Sequence, residues 1–154
     1  MVDPVYMNKE QVKEQVLVSA CCLGLRCRYH GRQSVLKAKI QNVLRKYSVV
    51  PVCPEQLGGL PTPRPSAKWV GGKLSFVGRG RRSQWNIQQL ALLYSSEKGD
   101  AYPFFVRGAE ETLRIAKSLN IKKAYFLKGS PSCDPKQGIC SRLLKDNGIK
   151  VGVI

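Results

Sequence analysis

The residues of this chain best equipped for chemistry are its six cysteines, and three of them share a setting. Cys21 closes the apolar run Leu17-Val-Ser-Ala. Cys53 closes Ser48-Val-Val-Pro-Val. Cys133 follows Ala124-Tyr-Phe-Leu through a short Lys128-Gly-Ser-Pro-Ser link. Three thiolates brought together suit soft metals, either zinc or an iron–sulfur cluster. Structural zinc normally draws four ligands from close pairs such as C-x-x-C, and no C-x-x-C occurs here. Three protein ligands leave one coordination position open to water or substrate. The plain alternative is that a buried cysteine is a small hydrophobe. Cys22, Cys27 and Cys140 stand as such core thiols or as spare thiols beside the site. An even count also keeps disulfides in view.

Glu55 lies two residues beyond Cys53 and is the sole acid between Gln15 and Ser96. Two roles fit it: a structural partner for an arginine, or a general acid/base beside the metal. Ser130 and Ser132 flank Pro131 just before Cys133. They either donate hydrogen bonds to an anion or cap the turn. His30, the only histidine, sits in a polar loop where a surface position is the ordinary outcome.

These groups are far apart in sequence, with 32 residues from Cys21 to Cys53 and 80 from Cys53 to Cys133, so the fold must gather them. Gln15–Ala20, Ser48–Val52 and Lys123–Leu127 read as short buried strands, and Ile149–Ile154 as a last one. Apolar residues at three- and four-residue steps predict a helix from Ser34, a candidate cap, to about Lys46, with Val35, Leu36, Ile40, Val43 and Leu44 on one face. A second helix is expected from Ala101 to Leu119, capped by Asp100. Its buried face would carry Phe105, Ala109, Thr112, Leu113, Ala116 and Leu119. A weaker helical pattern covers Trp85–Tyr94, and a short helix covers Cys140–Lys145, stopped at Asn147-Gly148. Pro54–Gly72 reads as a loop because prolines and glycines break any period. Lys73–Val77 reads as a short strand and Gly78–Arg82 as a basic loop. Strand, helix and strand in succession form a βαβ unit with parallel strands. The expected fold is therefore α/β: a single compact domain, Rossmann-like, with a mostly parallel sheet of about four strands and flanking helices. Open sheets of this class bind ligands beyond the carboxyl ends of their strands. Cys21, Cys53 and Cys133 each follow such an end, so parallel strands deliver all three to one edge.

The chain has 154 residues, 43% apolar and 23% charged. That fits one globular domain, taken as residues 15–154 behind a polar N-terminal arm at 1–14. No apolar run approaches the roughly 20 residues that span a bilayer. The first ten residues lack the apolar core of a secretory signal, so a cytoplasmic, reducing setting and no membrane partner are expected. The net charge is +16. Such a field attracts anions, and contact with RNA or a nucleotide through the basic surface is the expectation it raises.

Three motifs then converge on one family. Val18-Ser-Ala-Cys21-x-Leu-Gly24-x-x-Cys27-Arg-Tyr-x-Gly31, Cys53-Pro-Glu55-x-x-Gly58-Gly59-Leu-Pro-Thr-Pro-Arg64-Pro65 and Lys128-Gly-Ser130-Pro-Ser-Cys133 resemble, in order, those of the thiouracil desulfidases (TudS-like proteins). Phe105-Val-Arg-Gly108-Ala109-Glu resembles the helix of that family. The resemblance implies a 4Fe–4S cluster held by Cys21, Cys53 and Cys133, and non-redox removal of sulfur from a small thiolated pyrimidine, whether base, nucleotide or tRNA base. It implies capture of the sulfur on the open iron, Glu55 as proton shuttle, and Ser130 or Ser132 holding substrate or developing charge. The chain differs from the family pattern at His30 and Lys68, where acids are usual, and its loop after Cys133 is short; both exchanges imply a more positive pocket. The competing expectation is a non-catalytic module that binds zinc or nucleic acid.

Overall fold

A computed structural model describes residues 12–33, 37–77 and 99–154. The expected cap at Ser34 with Val35 and Leu36, the basic loop at 78–82, the helix at 85–94 and most of the N-terminal arm lie outside them. The elements are β1 (Gln15–Ser19), a 3-10 turn (Ala20–Leu23), α1 (Lys37–Lys46), β2 (Ser48–Val52), the single-turn α2 (Pro54–Leu57), β3 (Ser66–Val70), β4 (Lys73–Val77), α3 (Tyr102–Ser118), β5 (Lys123–Phe126), α4 (Ile139–Asp146) and β6 (Lys150–Val153).

Four strands form a parallel sheet in the order β2-β1-β5-β6. The α/β architecture expected from the sequence is thus the one observed. β1 is central, and Val16, Leu17 and Val18 are fully buried. Successive side chains on a strand point to opposite faces. Leu17 accordingly joins the core under α3 and α4, with Ala109, Ala116, Phe126 and Leu144. Val16 and Val18 join the core under α1, with Ile40 and Val43. This two-sided burial explains an unbroken apolar run where a half-exposed strand would alternate. The chain adds β2 on one side of β1 and β5 then β6 on the other, so the direction of growth reverses between β1 and β5.

α3 buries Phe105, Gly108, Ala109, Thr112 and Ala116, and Leu113 is partly buried beside them. Leu119 departs from expectation at 44% exposed. The helix ends at Ser118, and the chain turns through Asn120 at φ 53°, a left-handed conformation that asparagine tolerates. Leu119 still donates its N–H to the Ile115 carbonyl at 3.1 Å, but it stands at the cap, beyond the packed turns of the helix. Asp100 accepts a hydrogen bond from the Tyr102 N–H at 2.9 Å, satisfying one of the free donors of the first turn.

The loop expected at 54–72 is largely structured. Its first residues form α2, and Ser66–Val70 pairs antiparallel with β4 as a separate two-stranded sheet. The prolines at 61, 63 and 65 hid this hairpin, although the strand begins only after the last of them. Its turn is Gly71-Gly72, both at positive φ, and primed two-residue turns need that conformation. Leu74 and Phe76 pin the hairpin to α3 through Leu60, Ala101 and Phe105.

α2 and α3 meet backbone to backbone. A Cβ on Gly108 would lie 1.8 Å from the Pro54 carbonyl oxygen, and one on Gly58 would lie 2.0 Å from the Phe104 carbonyl oxygen. Neither obstacle is a side chain that can swing away. In an exposed helix Gly→Ala stabilises by about 1 kcal/mol. Gly108→Ala is instead expected to destabilise by about 3 kcal/mol through overpacking, read as a lowered midpoint of urea unfolding at unchanged slope. Among the described residues no helix is long and apolar enough to cross a membrane.

Candidate active site

Beyond the carboxyl ends of β1, β2 and β5 lies a cavity of about 660 Å³. It occupies the place where strand addition reverses, the position at which open α/β sheets bind ligands. Cys21, Cys53 and Cys133 all line it, together with Glu55 and Ser130. Convergence of these distant groups follows from the parallel sheet. The 3-10 turn after β1 presents Cys21, the start of α2 presents Cys53 and Glu55, and the loop after β5 presents Ser130 and Cys133.

Cys27 also lines the cavity, a thiol that the sequence left between core and site. It contacts the thiols of both Cys21 and Cys53, and its carbonyl oxygen accepts a hydrogen bond from the Cys53 Sγ at 3.7 Å. Cys22 and Cys140 are buried in the two cores and are absent from the cavity wall. All six thiols are free.

The setting of the four cavity thiols favours their protonated form, whereas Cys22, outside the wall, is lowered by its hydrogen bond with Cys21. Hydrogen bonding to Cys22 pushes Cys21 up to about 12. Cys53 is raised by its contact with Cys27 and by burial, against a pull from the Gln56 backbone N–H. Burial raises Cys133 well above the ordinary thiol value, opposed by the Ser19 hydroxyl. Burial carries Cys140 to about 12, against a pull from its hydrogen bond with Thr112. A soft metal that binds here must displace protons from its ligands.

Glu55 has a defined orientation. Its Oε2 receives Nε of Arg64 at 2.7 Å and lies 2.6 Å from the other guanidinium nitrogen, Nη2. Its Oε1 accepts from the Ser130 hydroxyl at 3.5 Å. The Arg64 side chain is only 2% exposed, and it is fully engaged. Arg64 donates further to the carbonyls of Cys27 at 2.9 Å and Pro61 at 3.1 Å, and to the Thr62 hydroxyl at 3.0 Å. The two roles expected for Glu55 are therefore compatible: one oxygen is held by an arginine while the residue still lines the cavity. Charge-assisted contacts of this kind are among the strongest a protein makes.

The two candidate serines separate. The Ser130 Oγ accepts the N–H groups of Ser132 and Cys133, both at 3.2 Å, which directs its single hydrogen toward Glu55. Ser132 is fully buried, its hydroxyl has no partner among the described residues, and it does not line the cavity. Asp134 ties this loop together by accepting the N–H groups of Gly129, Lys136 and Gln137. Those hydrogen bonds hold its carboxyl below the ordinary range. The short loop after Cys133 is thus a closed, hydrogen-bonded turn. His30 is not in the cavity wall; its Nδ1 accepts the Arg32 N–H at 2.9 Å, and its ring lies edge-on to Tyr29. Lys68 is in the wall, as are Arg28, Lys128, Tyr29 and Trp69. Of the two acid replacements expected to make the pocket more positive, only that at Lys68 reaches it.

Among the described residues no three histidine, cysteine or carboxylate side chains converge on one point as a single metal ion requires. An iron–sulfur cluster would take thiolate ligands. The cavity offers four thiols and one carboxylate that is already paired. This soft, all-sulfur donor set matches the ligand chemistry of iron–sulfur clusters.

Sequence and structure comparisons agree with this chemistry. Residues 16–153 match the family described as 2-thiouracil desulfurase. The chain is 30% identical over 150 residues to the uncharacterized protein YbbK of Bacillus subtilis (strain 168), covering 88% of this chain and 93% of that protein. A solved structure of TudS, described as a 4Fe–4S-dependent thiouracil desulfidase, aligns with a TM-score of 0.70 at 29% identity. The match covers 92% of this chain and 91% of that one.

Proposed function

Because the chain belongs to the 2-thiouracil desulfurase family, we propose that it is an iron–sulfur-dependent desulfidase that exchanges the sulfur of a thiolated pyrimidine for oxygen. The reaction is a hydrolysis: a thiocarbonyl and water give a carbonyl and hydrogen sulfide, with no net oxidation or reduction. The observation that carries the reading is the meeting of Cys21, Cys53, Cys133 and Glu55 in one cavity at the switch point of the sheet.

In this reading Cys21, Cys53 and Cys133 hold a 4Fe–4S cluster. When bound, such a cluster supplies an iron without a protein ligand, a Lewis acid with affinity for sulfur. The chain's own groups supply the rest. Glu55 takes a proton from the water that attacks the ring carbon and returns it to the departing sulfur. Arg64 fixes the carboxylate by its Oε2, which leaves Oε1 for proton transfer. Ser130, its hydrogen directed at Oε1, holds that oxygen in place. Ser132, whose buried hydroxyl has no partner among the described residues, takes no part in this reading. Contact with RNA rests on net charge alone and forms no part of this proposal.

The test is anaerobic purification followed by iron and sulfide analysis and assay with 2- and 4-thiouracil. A brown protein with near four iron per chain, releasing sulfide and uracil in equal amounts, is the expected result. Colourless protein holding zinc, without sulfide release, would overturn the reading in favour of a zinc-binding module.

A further inference from the structure

We propose that Trp69 is the ring-binding residue of this site, a specificity-determining side chain that stacks on the planar pyrimidine of the substrate. The inference rests on the desulfidase reading for the identity of the ring, and on the hairpin for the geometry.

Trp69 lies in β3 on the same face as Ala67, two residues away. That face is the one the hairpin turns to the core: Ala67 pairs with Phe76 and Trp69 with Leu74, and both partners are buried. A tryptophan at such a position should be covered, since it carries one of the largest apolar surfaces available. Trp69 is instead 50% exposed, and it lines the cavity that holds the thiols and Glu55. The hairpin thus extends its apolar face past the core and over the site. The indole is also held: its ring meets Tyr102 edge-on, with centroids 6.4 Å apart at 61°. An edge contact of this kind fixes the ring while leaving a face free to stack.

The chemistry of the rest of the wall makes the assignment specific. Its cationic and thiol side chains offer no flat apolar surface to a heteroaromatic ring, and Tyr29, the other aromatic in the wall, already has an edge contact with His30, at 4.8 Å between ring centroids. Base–aromatic stacking tolerates differences in ring substituents because every base has a π-face. Trp69 would then bind 2- and 4-thiolated rings alike, and leave the choice of reacting position to the groups deeper in the cavity.

Two measurements on the anaerobic, cluster-loaded protein test this. Equilibrium dialysis with uracil, which carries no sulfur to lose, reads ring binding without turnover; steady-state sulfide release from 2-thiouracil reads KM and kcat. Trp69→Ala is expected to weaken uracil binding and raise KM about tenfold with kcat changed less than twofold. Trp69→Phe should recover most of the loss and Trp69→Leu should not. Wild-type binding and KM in Trp69→Ala, or equal recovery by leucine, would overturn the proposal. If the wild-type protein binds uracil through Trp69 but releases no sulfide, the desulfidase reading fails and ring binding stands. If it binds no pyrimidine at all, both fail.

Discussion

Glu55→Gln is expected to keep the fold and the iron content while lowering sulfide release by about 10²- to 10⁴-fold, the usual contribution of a positioned proton-transfer group. The exchange is nearly isosteric. Glutamine can still accept from Arg64 through its carbonyl oxygen, with its amide NH2 turned toward Ser130 in place of Oε1, so the tether of Arg64 to the Cys27 and Pro61 carbonyls stays in place. What is lost is the capacity to take and return a proton. Iron and sulfide analysis, a visible spectrum and single-turnover sulfide release on the same sample separate the two effects. Wild-type turnover in Glu55→Gln would move proton transfer to another group. Arg64→Met is the useful contrast. It removes a buried cation and orphans Glu55, a change that costs about 3–5 kcal/mol when one partner of a buried pair is deleted. Its loss of activity should therefore come with loss of folded protein.

Removal of any one of Cys21, Cys53 or Cys133 is expected to abolish stable cluster binding, whereas Cys140→Ala should load fully. Each of the three closes a separate strand-end segment on the cavity, so no neighbour on its own loop stands in its place, apart from Cys27. Cys140 is fully buried between α4 and the sheet, where alanine costs packing but no ligand. Cys27 makes the experiment discriminating, because it touches both Cys21 and Cys53 and is the one thiol placed to substitute for them. Iron content after anaerobic reconstitution decides the matter. A full cluster in Cys133→Ala would refute the ligand set, since no other thiol lines the β5 side of the cavity.

The site was legible to the extent that it depends on strand direction. Each of Cys21, Cys53 and Cys133 follows an apolar segment, and parallel strands put their ends on one edge whatever lies between them. The arginine partner of Glu55 was foreseeable as a type, because a lone carboxylate in a basic stretch calls for one. That it is Arg64 depends on the path of the 61–64 segment back over the Cys27 carbonyl, and no periodicity records that path. The distinction between Ser130 and Ser132 was likewise out of reach: two serines around one proline look alike until the turn directs one hydroxyl at Glu55 and buries the other. The hairpin was lost behind its prolines, and Trp69 with it. Gly71-Gly72 was the available signal, a dipeptide that primed turns favour.

The backbone contact between Gly58 and Gly108 has a consequence for how this chain can vary. It fastens the turn that carries Glu55 to α3 across about fifty residues of sequence, so the backbone of that turn takes its position from the helix, while Arg64 orients the carboxylate. The length of the joining chain is then nearly free to drift. Doubling a flexible connection adds only about 0.6 kcal/mol of closure cost. Descendants of one ancestor can lengthen or shorten the sequence between the hairpin and the start of α3, provided that Leu74 and Phe76 keep their places against Phe105. The cavity wall formed by Cys21, Cys53, Glu55 and Cys133 need not be rebuilt each time.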